Sequence, residues 1–144
     1  MKPRLLDVNV LIALAWSSHV HHRGAQRWFG RRRKAGFRTC PLTQMGFVRL
    51  SCNPHFTPDA VAPGAALALM AQIASLPDHE FWPDDLPIKE ALAEAQPILG
   101  HRQITDAYLI ALAVAHGGVL ATLDPGVLAL PNSGDGIVEL LSDC

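Results

Sequence analysis

Three aspartates each close a short apolar run: Asp7 after Leu5-Leu6, Asp106 after Ile104-Thr105, and Asp124 after Leu120-Ala121-Thr122-Leu123. An apolar run, a polar residue and then an amphipathic stretch is how a buried strand passes into a helix. In parallel α/β sheets, ligands bind outside the carboxyl ends of the strands. Carboxylates at three such positions can converge although they lie far apart in the chain. Gathering that much negative charge is costly unless a hard cation shares the site, so the pattern points to metal chemistry.

Taken singly, each aspartate also has a structural explanation. Asp7 and Asp106 stand where helices begin and would serve as N-caps. Asp124 precedes Pro125-Gly126 and is a turn former. Their neighbours extend the functional reading. Asn9, two residues beyond Asp7, carries an amide able to orient that carboxylate or hold a metal-bound water. Thr105 and Thr122 stand beside the other two acids, where a hydroxyl could support a ligand from behind.

The elements that must position these groups alternate along the chain. Strands are expected at residues 5–6, 37–40, 79–82 and 119–123, with a further one at 137–141. Helices are expected at 8–16, 22–34, 42–51, 65–76, 88–95 and 108–116, the last closed by Gly117-Gly118. Residues 53–63, with three prolines, form the clearest loop, and 97–102 form a turn around Gly100. Such alternation implies a parallel-sheet α/β sandwich. The helix at 65–76 is nearly all apolar, which suits a core helix or a protein interface equally.

The 144 residues suit one domain over 1–144; 49% are hydrophobic and 17% charged, which excludes a disordered chain. The three cysteines are odd in number and contain no CxxC pair, so neither a disulfide framework nor a zinc knuckle is expected. Cys40 reads as a strand core position, Cys52 as a helix end and Cys144 as an exposed terminus. Asp7 interrupts the only N-terminal apolar stretch, so no signal peptide or membrane span is expected, and the location is read as cytoplasmic. A net charge of −1 does not announce a nucleic-acid partner. Even so, Arg31, Arg32, Arg33 and Lys34 form a basic segment that either complements a helix end or tracks a phosphate backbone. His19, His21 and His22 cluster in a loop but lack a fourth zinc ligand, so an RNA contact or helix capping suits them better.

Four blocks, Asp7-Val8-Asn9-Val10-Leu11-Ile12-Ala13-Leu14, Leu42-Thr43-Gln44-Met45-Gly46-Phe47-Val48-Arg49-Leu50, Ile104-Thr105-Asp106-Ala107-Tyr108-Leu109-Ile110-Ala111-Leu112-Ala113 and Ala121-Thr122-Leu123-Asp124, resemble the PIN domain, and among its members the VapC-type toxins of bacterial toxin–antitoxin pairs. The resemblance implies a three-layer α/β/α sandwich with a short, mostly parallel central sheet. It also implies an endoribonuclease dependent on Mg²⁺ or Mn²⁺, in which Asp7, Asp106 and Asp124 hold the metal and activate water. A cognate VapB-like antitoxin, an RNA substrate and a second copy of the chain are the partners it implies. Many PIN domains have a glutamate where this chain has Gln44, beside Thr43. An amide can still ligate a metal, and Gln44 is taken as a site residue, but one charge is lost and a second metal is put in doubt. Glu80, Asp84 or Asp85 are the candidates to compensate. Arg49 and Arg102, near Gln44 and Asp106, are candidate contacts to substrate phosphate.

Rival readings separate at particular residues. A haloacid-dehalogenase-type phosphatase needs an aspartate where Asn9 stands. A receiver-type phosphoacceptor needs a late lysine, and the last here is Lys89. A catalytically silent binding protein on the same fold draws its support from Gln44.

Overall fold

The computed structural model describes residues 1–97 and 100–141. Five strands, β1 (Arg4–Leu6), β2 (Phe37–Thr39), β3 (His79–Phe81), β4 (Val119–Thr122) and β5 (Val138–Leu140), form one sheet in the order β3-β2-β1-β4-β5. Every neighbouring pair is parallel. Helices cover both faces, giving an α/β/α sandwich whose sheet is wholly rather than mostly parallel. Among the described residues the α-helices are α1 (Val8–Ala15), α2 (His22–Arg32), α3 (Pro41–Ser51), α4 (Pro63–Ala74), α5 (Ile88–Ala91) and α6 (Ile104–Ala115).

Alternation along the strands divides the core in two. Leu5 and Leu120 face α5 and α6, packing with Tyr108, Leu109 and Leu112. Leu6, Phe37 and Ala121 face the other way, onto Val10 and Leu11 of α1, Trp28 of α2 and Phe47 of α3. The central strands are buried on both faces, as parallel strands between helical layers must be. Gly46 of α3 lies so close to α1 that a Cβ there would stand 2.5 Å from Val8 Cγ2, which seats the start of α1 against the middle of α3.

Several boundaries differ from expectation. Helix α6 begins one turn earlier, at Ile104, so no strand precedes Asp106. Ile104 and Thr105 are β-branched and read locally as strand, but Ile104, Ala107, Tyr108, Ala111 and Leu112 continue one helical face. Helix α5 is a single turn followed by a 3-10 turn at Ala93–Ala95. The expected turn at 97–102 lies partly outside the described residues, as does Cys144; its end is a 3-10 turn, His101–Gln103. At the end of α6, Gly117 adopts φ 72°, with Gly118 N–H donating to Ala113 O and Gly117 N–H to Val114 O, the Schellman closure that the glycine pair implied. Cys40 caps α3 rather than ending β2, and Cys52 closes the same helix. No helix among the described residues is long and apolar enough to cross a membrane.

Candidate active site

Asp7 follows β1 and caps α1. Its Oδ1 accepts from Val8 N–H at 2.8 Å, and its backbone N–H continues the sheet to Ala121 O at 2.9 Å. Asp124 follows β4 and opens a 3-10 turn, its Oδ1 accepting from Gly126 N–H at 2.8 Å. The structural roles expected of these two acids are therefore present, and do not exhaust them. Asp106 stands in the first turn of α6 rather than at a strand end, and its carboxylate makes no hydrogen bond or ion pair among the described residues.

The three acids act on one another. Burial, first, and then the charges of Asp7 and Asp124 push the Asp106 carboxyl up to about 6. Asp7 is raised by its own burial, which hydrogen bonds from Thr122 and Val8 oppose and the charge of Asp124 reinforces. Two strand ends and one helix start thus deliver carboxylates to a common edge.

A single buried hydroxyl ties this edge together. Thr122 Oγ1 donates to Asp7 Oδ2 at 2.8 Å and accepts from Asn9 Nδ2 at 3.2 Å and from Asp124 N–H at 3.1 Å. The Asn9 Oδ1 accepts from Leu123 N–H at 3.1 Å. Asn9 therefore braces the β4 end and reaches Asp7 through Thr122; both ends of its amide are engaged. Its sequence position suggested contact with Asp7 or water; only the fold reveals the brace between two strand ends.

The other residues expected at the site have partners or settings of their own. Gln44 Nε2 donates to Thr39 Oγ1 at 2.9 Å, and Thr39 Oγ1 in turn meets His79 Nε2 at 2.7 Å, so the amide is turned onto β2. Thr43 closes the α3 N-terminus: its Oγ1 accepts from Cys40 N–H at 3.0 Å and donates to Cys40 O. It supports the helix rather than the acids. Thr105 is exposed on α6. Arg102 is exposed at the turn leading into α6, and Arg49 is exposed beside the groove between α3 and α4. Glu80 pairs with Arg38 and Asp85 with His116, and neither they nor Asp84 act on Asp7 or Asp106.

The basic segment lies at the opposite end of the sheet. Arg33 pairs with Asp78, the residue before β3, at 2.7 Å, and Gly36 leads from Arg33 directly into β2. Arg32 joins Arg4 and the Trp28 indole on Glu139. Arg31, Arg32 and Arg33 thus stand at the amino ends of the strands, whereas the acids stand at the carboxyl ends.

Among the described residues no group of three or more His, Cys, Asp or Glu side chains is arranged to hold a metal ion. The acids nevertheless fit a hard cation. Mg²⁺ is typically bound through one or two carboxylates and keeps several waters, and Asp106 is a carboxylate with no hydrogen-bond or ion-pair partner among the described residues, crowded by two others.

Comparison with known proteins bears on the family and the fold. The family model for the PIN domain matches residues 4–131. The chain is 46% identical over 139 residues to Ribonuclease VapC39 of Mycobacterium tuberculosis, covering 95% of this chain and 98% of that protein. It is 42% identical over 126 residues to Ribonuclease VapC38 of the same species, covering 88% of each. Among solved structures, VapBC2 from Rickettsia felis, bound to a DNA fragment from its promoter, superposes with a TM-score of 0.68 at 12% identity, over 96% of this chain and 98% of that one. PAE2754 from Pyrobaculum aerophilum gives a TM-score of 0.58 at 24% identity, over 95% and 83%. At those identities the structural matches speak to the fold, while the sequence relatives and the family model speak to descent: the chain belongs to the PIN-domain family, among its VapC proteins.

Proposed function

We propose that this protein is a Mg²⁺- or Mn²⁺-dependent endoribonuclease, the toxin of a toxin–antitoxin pair. The observation that carries the reading is Asp106: a carboxylate with no hydrogen-bond or ion-pair partner among the described residues, held near pKa 6 by burial and by Asp7 and Asp124. Relatives sharing up to 46% of their residues with the chain are named ribonucleases.

In this reading Asp7 and Asp106 hold the cation, with Asp124 completing the site directly or through water. A bound divalent ion supplies a lower pKa for the attacking water and neutralises charge growing on the phosphate. The chain's own contribution is preorganisation. Thr122 keeps a hydrogen bond on Asp7 Oδ2, which favours the ionised carboxylate despite its burial. Asn9 and the Asp124 turn fix the β4 end, so the third carboxylate is held without reorganisation. No serine, cysteine or histidine enters this group as a nucleophile, and hydrolysis by water is the route proposed.

A small VapB-like antitoxin and a second copy of the chain are the proposed protein partners. Helix α4 supports a partner surface: only Ala66 and Met70 of it are buried, and Leu67 and Met45 are each 59% exposed beside a groove of about 480 Å³ between α3 and α4. One specific observation favours a second reading, a PIN-fold binding module without catalysis: among the described residues no group of three or more His, Cys, Asp or Glu side chains is arranged to hold a metal ion. Incubating antitoxin-free protein with RNA in Mg²⁺ or Mn²⁺, against EDTA, separates the two. Metal-dependent cleavage is expected; intact RNA under every condition favours the binding module.

A further inference from the structure

Helix α1 joins the acids to a second feature. Asp7 caps its start; at its far end, about 12 Å along the axis, a pocket of about 320 Å³ opens between the helix end and the loop after α3. Trp16, His19 and Phe56 line it with Ser18 and Thr57, over Ile12 and Pro58, and among the described residues no carboxylate does.

These groups are held in place before any ligand arrives. The Trp16 indole N–H donates to the Oγ of buried Ser51 at 3.1 Å, which fixes the ring. His19 Nδ1 accepts from His21 N–H at 3.0 Å, so neutral His19 carries its proton on Nε2 and presents a donor. Thr57 Oγ1 accepts from Asp59 N–H, leaving its own hydrogen to donate. The loop bearing Phe56 is turned by Asn53, whose Oδ1 accepts from His55 N–H and whose backbone O accepts from Phe56 N–H. Phe56 itself is 48% exposed.

Aromatic rings together with N–H and O–H donors suit a flat heterocycle bearing carbonyl oxygens, and single-stranded RNA is recognised by stacking its splayed bases on such rings. The absence of carboxylates from the lining suits a polyanion. We propose that this pocket is a nucleobase subsite that seats a base of the RNA strand flanking the cut, Phe56 and Trp16 stacking on it and His19 and Thr57 donating to its edge. The inference rests on the ribonuclease reading but is tested apart from it.

The probes are short homopolymers of A, C, G and U, with binding measured in EDTA, which withholds the metal that the proposed hydrolysis needs. Phe56→Ala removes an exposed ring, and Phe81→Ala, exposed on β3, is the control. At least one homopolymer is expected to lose about 5- to 100-fold in affinity with Phe56→Ala and nothing with Phe81→Ala, melting temperatures staying at the wild-type value. His19→Ala should weaken the same homopolymer and flatten the preference among bases. Equal binding by wild type and Phe56→Ala for all four strands overturns the proposal. So does a free nucleoside monophosphate binding as tightly as the strand, which would make the pocket a mononucleotide site. Loss of binding in Phe56→Ala without any metal-dependent cleavage by the wild type would instead remove the nuclease reading and keep the subsite.

Discussion

Thr122 Oγ1 donates to Asp7 Oδ2 at 2.8 Å across the ends of two adjacent strands, 115 residues apart in the chain. The same oxygen accepts from the Asn9 amide and the Asp124 backbone, so one buried hydroxyl sets the geometry of two of the three acids. Thr122→Val keeps the shape and removes all three bonds. It should cost about 1–2 kcal/mol of stability, because the buried Asp7 Oδ2 loses its donor and the partly buried Asn9 Nδ2 and Asp124 N–H lose their acceptor. RNA cleavage should fall about 10- to 100-fold. Denaturant unfolding and single-turnover cleavage check the two effects, and wild-type values for both would show that the hydroxyl positions nothing.

Asp106 lends itself to a stability measurement in EDTA. Its folded pKa, about 6, exceeds the ordinary 3.8, so the folded state binds this proton more readily than the unfolded one. Stability should therefore fall as pH rises between those values, and remain lowered above them. Asp106→Asn lacks that fall. At pH 7.5 it should be more stable than wild type by about 1 kcal/mol, discounted for solvent screening, or about 3 °C in Tm. A variant less stable than wild type at that pH would mean that neither burial nor the charges of Asp7 and Asp124 disfavour the ionised carboxylate.

Glu139 has the opposite sign. Burial alone would raise it, but hydrogen bonds from Trp28 and Arg4, the charge of Arg4 and a further bond from Arg32 hold it below the ordinary glutamate value. Its contribution is present above the unfolded pKa and lost as pH falls through the folded one. Glu139→Gln should cost about 1–2 kcal/mol at pH 7, with the difference from wild type closing in acid. Thermal melts across pH test this; a difference unchanged with pH would assign the loss to packing.

How much could be read beforehand differs by element. The strands β1 and β4 and their aspartates were legible because an apolar run and a following acid are adjacent in sequence. Asp106 was legible as an acid but misplaced on a strand, since Ile104-Thr105 looks extended until the helical face through Tyr108 and Leu112 is followed upstream. The separation of Arg31, Arg32 and Arg33 from the acids was not legible. It depends on α2 delivering the chain to the amino end of β2, where Asp78 and Glu139 neutralise part of that charge. Likewise Gln44 sits in the right block, but its amide turns back onto Thr39, five residues earlier, across the direct passage from β2 into α3, a local turn that the residue types do not announce.

The α3–α4 groove yields a separate expectation. Leu67→Lys places a charge on a face proposed to meet a partner while leaving the buried Ala66 and Met70 untouched. Self-association, followed by sedimentation, should weaken at least tenfold with Tm unchanged. Identical sedimentation and identical antitoxin binding would remove this face from both interfaces.

The central claim, that Asp7, Asp106 and Asp124 form one hydrolytic site, is tested most directly by single-turnover cleavage of end-labelled RNA at saturating Mg²⁺ by wild type and Asp106→Asn. RNA affinity in EDTA is measured alongside. A cleavage rate lower by at least about 100-fold in the variant, with RNA affinity unchanged, is expected. Cleavage by Asp106→Asn at the wild-type rate would contradict it.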